Sequence, residues 1–172
     1  MQDKKIAIIG LGLIGGSIAK ALKDRLNITC ITAVDNNESS IRQAIEEGYI
    51  QEGSTELNDS VYNSDIIFLC TPVKYTLEYL SLLYGNVKEN CILTDTASTK
   101  KEIISYINSL DNPPCFVGGH PMAGTEKAGF ASSFSHLFEN AYYILSPSKN
   151  SSKEAFELLT EIIKGIGAIP IK

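Results

Sequence analysis

His120 stands between Gly119 and Pro121, directly after the apolar run PPCFVGG (113–119), and it is one of only two histidines in the chain. Imidazole is the side chain best suited to exchanging a proton near neutral pH, so a histidine delivered to a strand end is a candidate general base. Ser98 has the same kind of placement after the run NCILTDT (90–96), and its hydroxyl can orient an imidazole and share a hydrogen bond with a substrate oxygen. Together they could take a hydroxyl proton while hydride leaves the same carbon, which is the proton half of a dehydrogenation. Each also has a plain structural use: Ser98 in starting a helix, His120 in satisfying loop carbonyls.

The hydride half needs a dinucleotide, and Gly10-Leu-Gly12-Leu13-Ile14-Gly15 has the GxGxxG spacing that binds one. Gly10 permits a tight turn, Gly12 leaves room for a pyrophosphate, and Gly15 lets the following helix pack against the strand. The helix opened by Leu13 and Ile14 offers free N–H groups and partial positive charge to the anion. Asp35 ends the next apolar run, 20 residues beyond Gly15, where a carboxylate would hydrogen-bond an adenosine ribose. Its charge favours NAD over NADP, and Asn36 and Asn37 supply no arginine for a 2′-phosphate. Thr71-Pro72-Val73, after the run SDIIFLC, should pass beside the dinucleotide, although a turn alone would use the same residues. Lys100 reads as a solvated helix start close enough to Ser98 to meet an acidic substrate. His136, among Phe134, Leu137 and Phe138, reads as a packing or surface residue.

The elements that must position these residues alternate along the whole chain. Apolar runs at 4–10, 27–35, 64–71, 90–96, 113–119 and 141–146 predict strands, with a short one in AIPI. Amphipathic stretches at 15–26, 38–47, 76–84, 99–109 and 151–165 predict helices, Gly48 and Gly85 stopping two of them and a Thr99/Glu102 capping box opening another. Strands that are apolar throughout, alternating with helices, imply an α/β, doubly wound, mainly parallel sheet with helices on both faces. At 172 residues, one domain is expected. The long irregular segment 119–140 is expected to be functional or to hide a short helix.

Composition narrows the function further. A net charge of -5 argues against a nucleic-acid partner, and no run approaches the length of a membrane span, so a cytoplasmic protein acting on a small molecule is expected. Cys30, Cys70, Cys91 and Cys115 lie apart in apolar runs with no CxxC or nearby histidine, which predicts reduced core thiols and no metal site.

The segments GLGLIGGS, VD, CTPV, TDTASTK and GGHPMAGTEKAGF, in this order and spacing, resemble the nucleotide-binding domain of the prephenate dehydrogenases and their arogenate dehydrogenase relatives. The resemblance covers nearly all of the chain. It implies oxidative decarboxylation of prephenate to 4-hydroxyphenylpyruvate in tyrosine biosynthesis, with NAD reduced. It implies that His120 accepts the proton of the ring hydroxyl, that Ser98 hydrogen-bonds both His120 and that hydroxyl, and that Thr125 and Glu126 line or gate the substrate entrance. It also implies a C-terminal all-helical domain, absent from this chain, which supplies homodimer contacts and an arginine for the substrate carboxylates. The 172 residues are then the dinucleotide-binding half of a longer enzyme and poorly active alone. The alternatives are an arogenate dehydrogenase and a non-catalytic NAD-sensing module.

Overall fold

The computed structural model describes residues 1–172. Strands β1 (Ile6–Ile9), β2 (Ile31–Val34), β3 (Glu52–Ser54), β4 (Ile66–Leu69), β5 (Ile92–Asp95), β6 (Cys115–Pro121), β7 (Tyr142–Pro147) and β8 (Ile169–Ile171) form one sheet in the order β3-β2-β1-β4-β5-β6-β7-β8. All neighbours are parallel except β6 and β7. Helices α1 (Leu13–Leu26), α2 (Glu38–Glu46), α3 (Asp59–Tyr62), α4 (Val73–Leu83), α5 (Lys101–Ser109) and α6 (Lys153–Gly165) cover it from both sides.

Alternate residues of the strands feed two apolar layers. Ile6, Ile8, Phe68, Val117 and Leu145 pack with α1, α2 and α6, whereas Ala7, Ile9, Ile67, Leu69, Leu93 and Phe116 pack with α3, α4 and α5. Burial of both faces explains why β1 and β4 are apolar at every position. The expected doubly wound, mainly parallel architecture is the one found. Because β1 lies between β2 and β4, the order of travel reverses there and a crevice opens at the carboxyl ends of these strands. Burial pushes the thiols of Cys70 and Cys91 up to about 12, and all four cysteines are free.

Several boundaries differ from expectation for physical reasons. β3 and α3 are absent from the sequence reading because neither has an apolar run; α3 is opened by Asn58, whose side chain accepts from Val61 N. α4 starts at Val73 rather than residue 76, since Pro72 at the N-cap needs no partner for an N–H it lacks. The Thr99/Glu102 capping box does not form: Lys100 occupies the N-cap of α5 with no side-chain cap. Segment 122–141 contains one 3-10 turn, Phe130–Ser132. Lys20 and Ser17 of α1 hold this segment by hydrogen bonds to Ser133 O and from Phe134 N.

Candidate functional site

The turn from β1 into α1 depends on two close approaches. Gly10 has φ +99°, and a Cβ there would lie 2.6 Å from Cys70 O; a Cβ on Gly15 would lie 1.8 Å from Gly10 O. Only glycine satisfies both contacts. At Gly12, the N-cap of α1, a Cβ would meet no protein atom within 4 Å, and no side chain caps the helix. The first N–H groups of α1 thus lack a side-chain cap and the space at Gly12 is open, as an anion site requires. Leu13 and Ile14 form the first turn; Ile14 packs on the core rather than lining the crevice.

Asp35 closes this turn from β2. Its Oδ2 accepts from Leu11 N at 2.6 Å and its Oδ1 from Asn37 N at 2.8 Å, so the carboxylate is fixed while keeping lone pairs for a further donor. Gly10, Gly12, Asp35, Thr71 and Pro72 line a cleft of about 390 Å³, whose remaining wall includes Tyr75 and Tyr79 of α4. Val73 does not line it, because as the first residue of α4 it packs against the core beneath. Thr71 instead helps fix the turn, its hydroxyl 3.0 Å from that of Thr76.

Farther along the same sheet edge, a buried carboxylate joins the ends of β5 and β6. The Asp95 side chain is fully buried. Its Oδ2 accepts from Ala97 N at 3.0 Å, its Oδ1 from Gly119 N at 3.1 Å, and Lys100 completes the set as an ion pair. Ser98 and His120 are the next residues in the chain after those two amides, so one carboxylate fixes the backbone of both. Burial raises Asp95 above the ordinary carboxylate range against the pull of Lys100, and burial lowers Lys100. The expected solvated Lys100 is therefore corrected: its ammonium turns inward to Asp95 and to Ala97 O at 2.6 Å. Gly118 makes the space, since a Cβ there would lie 3.0 Å from Lys100 Cδ.

His120 lies in β6 opposite Ile144, half-buried, with a buried Nδ1 that has no hydrogen-bond partner. Ser98 is exposed and Nδ1 has no partner, so the expected Ser98–His120 hydrogen bond is not formed at this nitrogen. Thr125 and Glu126 lie exposed after β6, the Thr125 hydroxyl accepting from Lys127 N at 3.1 Å. His136 is exposed, its ring tilted against that of Phe134 at 4.8 Å between centroids, a surface role as expected.

Asp95, Tyr75 and Tyr79 were not singled out from the sequence. Asp95 carries a faint signal as the polar last residue of an apolar strand, five before a lysine, and the tyrosines as a pair four apart after CTPV.

The family model described as prephenate dehydrogenase, nucleotide-binding domain, matches residues 18–172, beginning just after the glycine turn. A prephenate dehydrogenase of Bacillus subtilis is 37% identical over 170 residues, covering 98% of this chain and 46% of that protein. The crystal structure of prephenate dehydrogenase from A. aeolicus in complex with hydroxyphenyl propionate and NAD+ matches with a TM-score of 0.89 and 32% identity, over 99% of this chain and 60% of that one. The Synechocystis arogenate dehydrogenase structure matches with a TM-score of 0.88 and 33% identity, over 97% of this chain and 58% of that one. The chain spans about half the length of the curated relatives it matches. The chain therefore belongs to the prephenate dehydrogenase family and corresponds to its nucleotide-binding domain.

Proposed function

We propose that this chain provides the NAD-binding and proton-transferring part of a dehydrogenase that converts prephenate to 4-hydroxyphenylpyruvate with loss of carbon dioxide, a cytoplasmic step of tyrosine biosynthesis. The observation that carries the reading is the Asp95 carboxylate, which ties the backbone before Ser98 to the backbone before His120 at the edge where the glycine turn opens.

The cleft fits NAD: uncapped N–H groups meet a pyrophosphate, the space at Gly12 admits it, and Asp35 retains acceptor capacity for a ribose hydroxyl. When bound, its nicotinamide supplies the hydride acceptor. His120 takes the proton of the substrate's ring hydroxyl, a role supported by its half-buried imidazole near the carboxyl end of β6. Ser98, exposed just after β5, hydrogen-bonds the same hydroxyl. Lys100 holds Asp95 in place and so fixes the backbone that presents Ser98 and His120, while Thr125 and Glu126 border the entrance.

A second body completes the site in this reading. His120, Met122, Tyr142, Ile144, Ile169 and Ile171 share one face of β6, β7 and β8, and Met122, Tyr142, Ile169 and Ile171 are exposed. An apolar face bordering a reactive residue is the kind of surface that a further domain covers. We assign that place to a helical domain that supplies the carboxylate clamp and a homodimer contact.

The likeness to an arogenate dehydrogenase favours one second reading, in which the substrate is the amino acid arogenate and the product is tyrosine. Product analysis decides. The protein is incubated with NAD+ and either prephenate or arogenate, and NADH, 4-hydroxyphenylpyruvate and tyrosine are quantified. Equal yields of NADH and 4-hydroxyphenylpyruvate are expected; faster formation of tyrosine transfers the assignment to arogenate, and NADH formed without either product contradicts both.

A further inference from the structure

β2 has one polar residue, Thr32, among Ile31, Ala33 and Val34. Ile31 and Ala33 face the layer of α1, α2 and α6, so Thr32, like Val34, faces the layer that contains α3. It is 7% exposed, and its hydroxyl has no hydrogen-bond partner. A valine would fill about the same space without orphaning a polar atom, so the hydroxyl calls for a partner that the rest of the chain does not supply.

Thr32 lines a cavity of about 240 Å³ at the amino ends of β1 and β2, bordered by the start of β3 and by α3. Glu52 and Asp59 stand exposed on its wall, and neither has an ion-pair partner. Ser60 and Asn63 belong to the same wall; the Asn63 side-chain N–H donates to Asp59 O at 2.8 Å, which leaves its Oδ1 as a further acceptor. Lys5 is the one basic residue there. The surroundings carry the same sign: residues 36–65 hold seven carboxylates and one basic side chain, Arg42, which more than accounts for the chain's net charge of -5.

Two carboxylates against one ammonium, set in a negative stretch of surface, select a cation. The residues do not suit a metal ion, because nowhere in the chain do three or more His, Cys, Asp or Glu side chains gather to hold one. We propose that this cavity binds a small organic cation whose ammonium or guanidinium N–H donors meet the Glu52 and Asp59 carboxylates at the rim and the Thr32 hydroxyl at the floor. Hydrogen bonds between such a cation and carboxylates are the strong, charge-assisted kind. The site lies at the strand ends opposite those that form the cofactor cleft, and the inference does not depend on the dinucleotide reading.

The test is a titration of the isotope-labelled chain, followed by its backbone amide NMR signals, with methylguanidinium, methylammonium and tetramethylammonium chlorides. The last ion has the same charge and no N–H donor. Methylguanidinium or methylammonium should shift the signals of Thr32, Glu52 and Asn63 along a saturating curve, the tighter of the two giving the shape of the group the cavity prefers. Tetramethylammonium should bind at least about tenfold more weakly. Thr32→Val and Glu52→Gln should each weaken the preferred cation by about tenfold. Glu52→Gln carries the test if Thr32→Val fails to fold, because Glu52 is exposed. Equal binding of tetramethylammonium, shifts that rise without saturating, or wild-type affinity in either variant would overturn the proposal and leave only a diffuse acidic surface.

Discussion

Asp95 is the residue on which the most depends, because it is a carboxylate removed from water and shared between two strand ends. A buried charge is tolerable only with a partner, and Lys100 is that partner. Lys100→Met should therefore destabilise the protein by about 3–5 kcal/mol at neutral pH, read by chemical denaturation. The sign of the pH dependence follows from burial. Asp95 is raised in the folded state, so its protonated form is the one the fold favours, and stability present at low pH is lost as pH rises through the folded value. The deficit of Lys100→Met should shrink as pH falls toward the carboxylate range; a deficit independent of pH would show that Asp95 is not the group left uncompensated. His120 and Asp35 were legible in the sequence because each follows a strand signal within a few residues. The inward turn of Lys100 was not, because it depends on Gly118, which comes from a different strand and leaves the space for the lysine stem.

At the level of elements, the β1–α1 turn separates two uses of glycine. A methyl on Gly15 meets the carbonyl of Gly10 and forces backbone apart, so Gly15→Ala should cost at least about 1–3 kcal/mol of stability. A methyl on Gly12 meets nothing in the protein, so Gly12→Ala should melt near wild type and lose NAD+ affinity instead. Melting curves and NAD+ titrations of both variants check the pair, and a Gly12→Ala variant that binds NAD+ as wild type does would show that the pyrophosphate does not lie there. The same turn explains what local pattern can reveal. Strands buried on both faces and helices with caps such as Asn37 and Ser152 announce themselves in consecutive residues. β3 is a three-residue strand at the sheet edge, formed by polar residues because β2 is there to pair with, and nothing within residues 52–54 signals it. The antiparallel insertion of β7 is likewise a matter of tertiary pairing.

For the molecule as a whole, the sheet order places cofactor cleft and His120 along one edge, with β4 and β5 between them. Thr96 N reaches Leu69 O at 3.1 Å, and the Asp95 carboxylate reaches Gly119 N, so hydrogen bonds run from the end of β4 to the residue before His120. The doubly wound fold was readable from the alternation of elements, while the exposed face on β6–β8 emerges only once the register brings Met122, Tyr142, Ile169 and Ile171 together. In the proposed reaction this edge takes a substrate proton while the cleft holds NAD+. We would saturate the wild-type protein and His120→Asn with NAD+, confirm binding by calorimetry, add prephenate under single-turnover conditions and follow the absorbance of NADH. The wild type should form NADH, and His120→Asn should bind NAD+ within about threefold of wild type yet form NADH at least about a hundredfold more slowly, the usual size of a lost general base. Equal rates in the two proteins would contradict the assignment of His120.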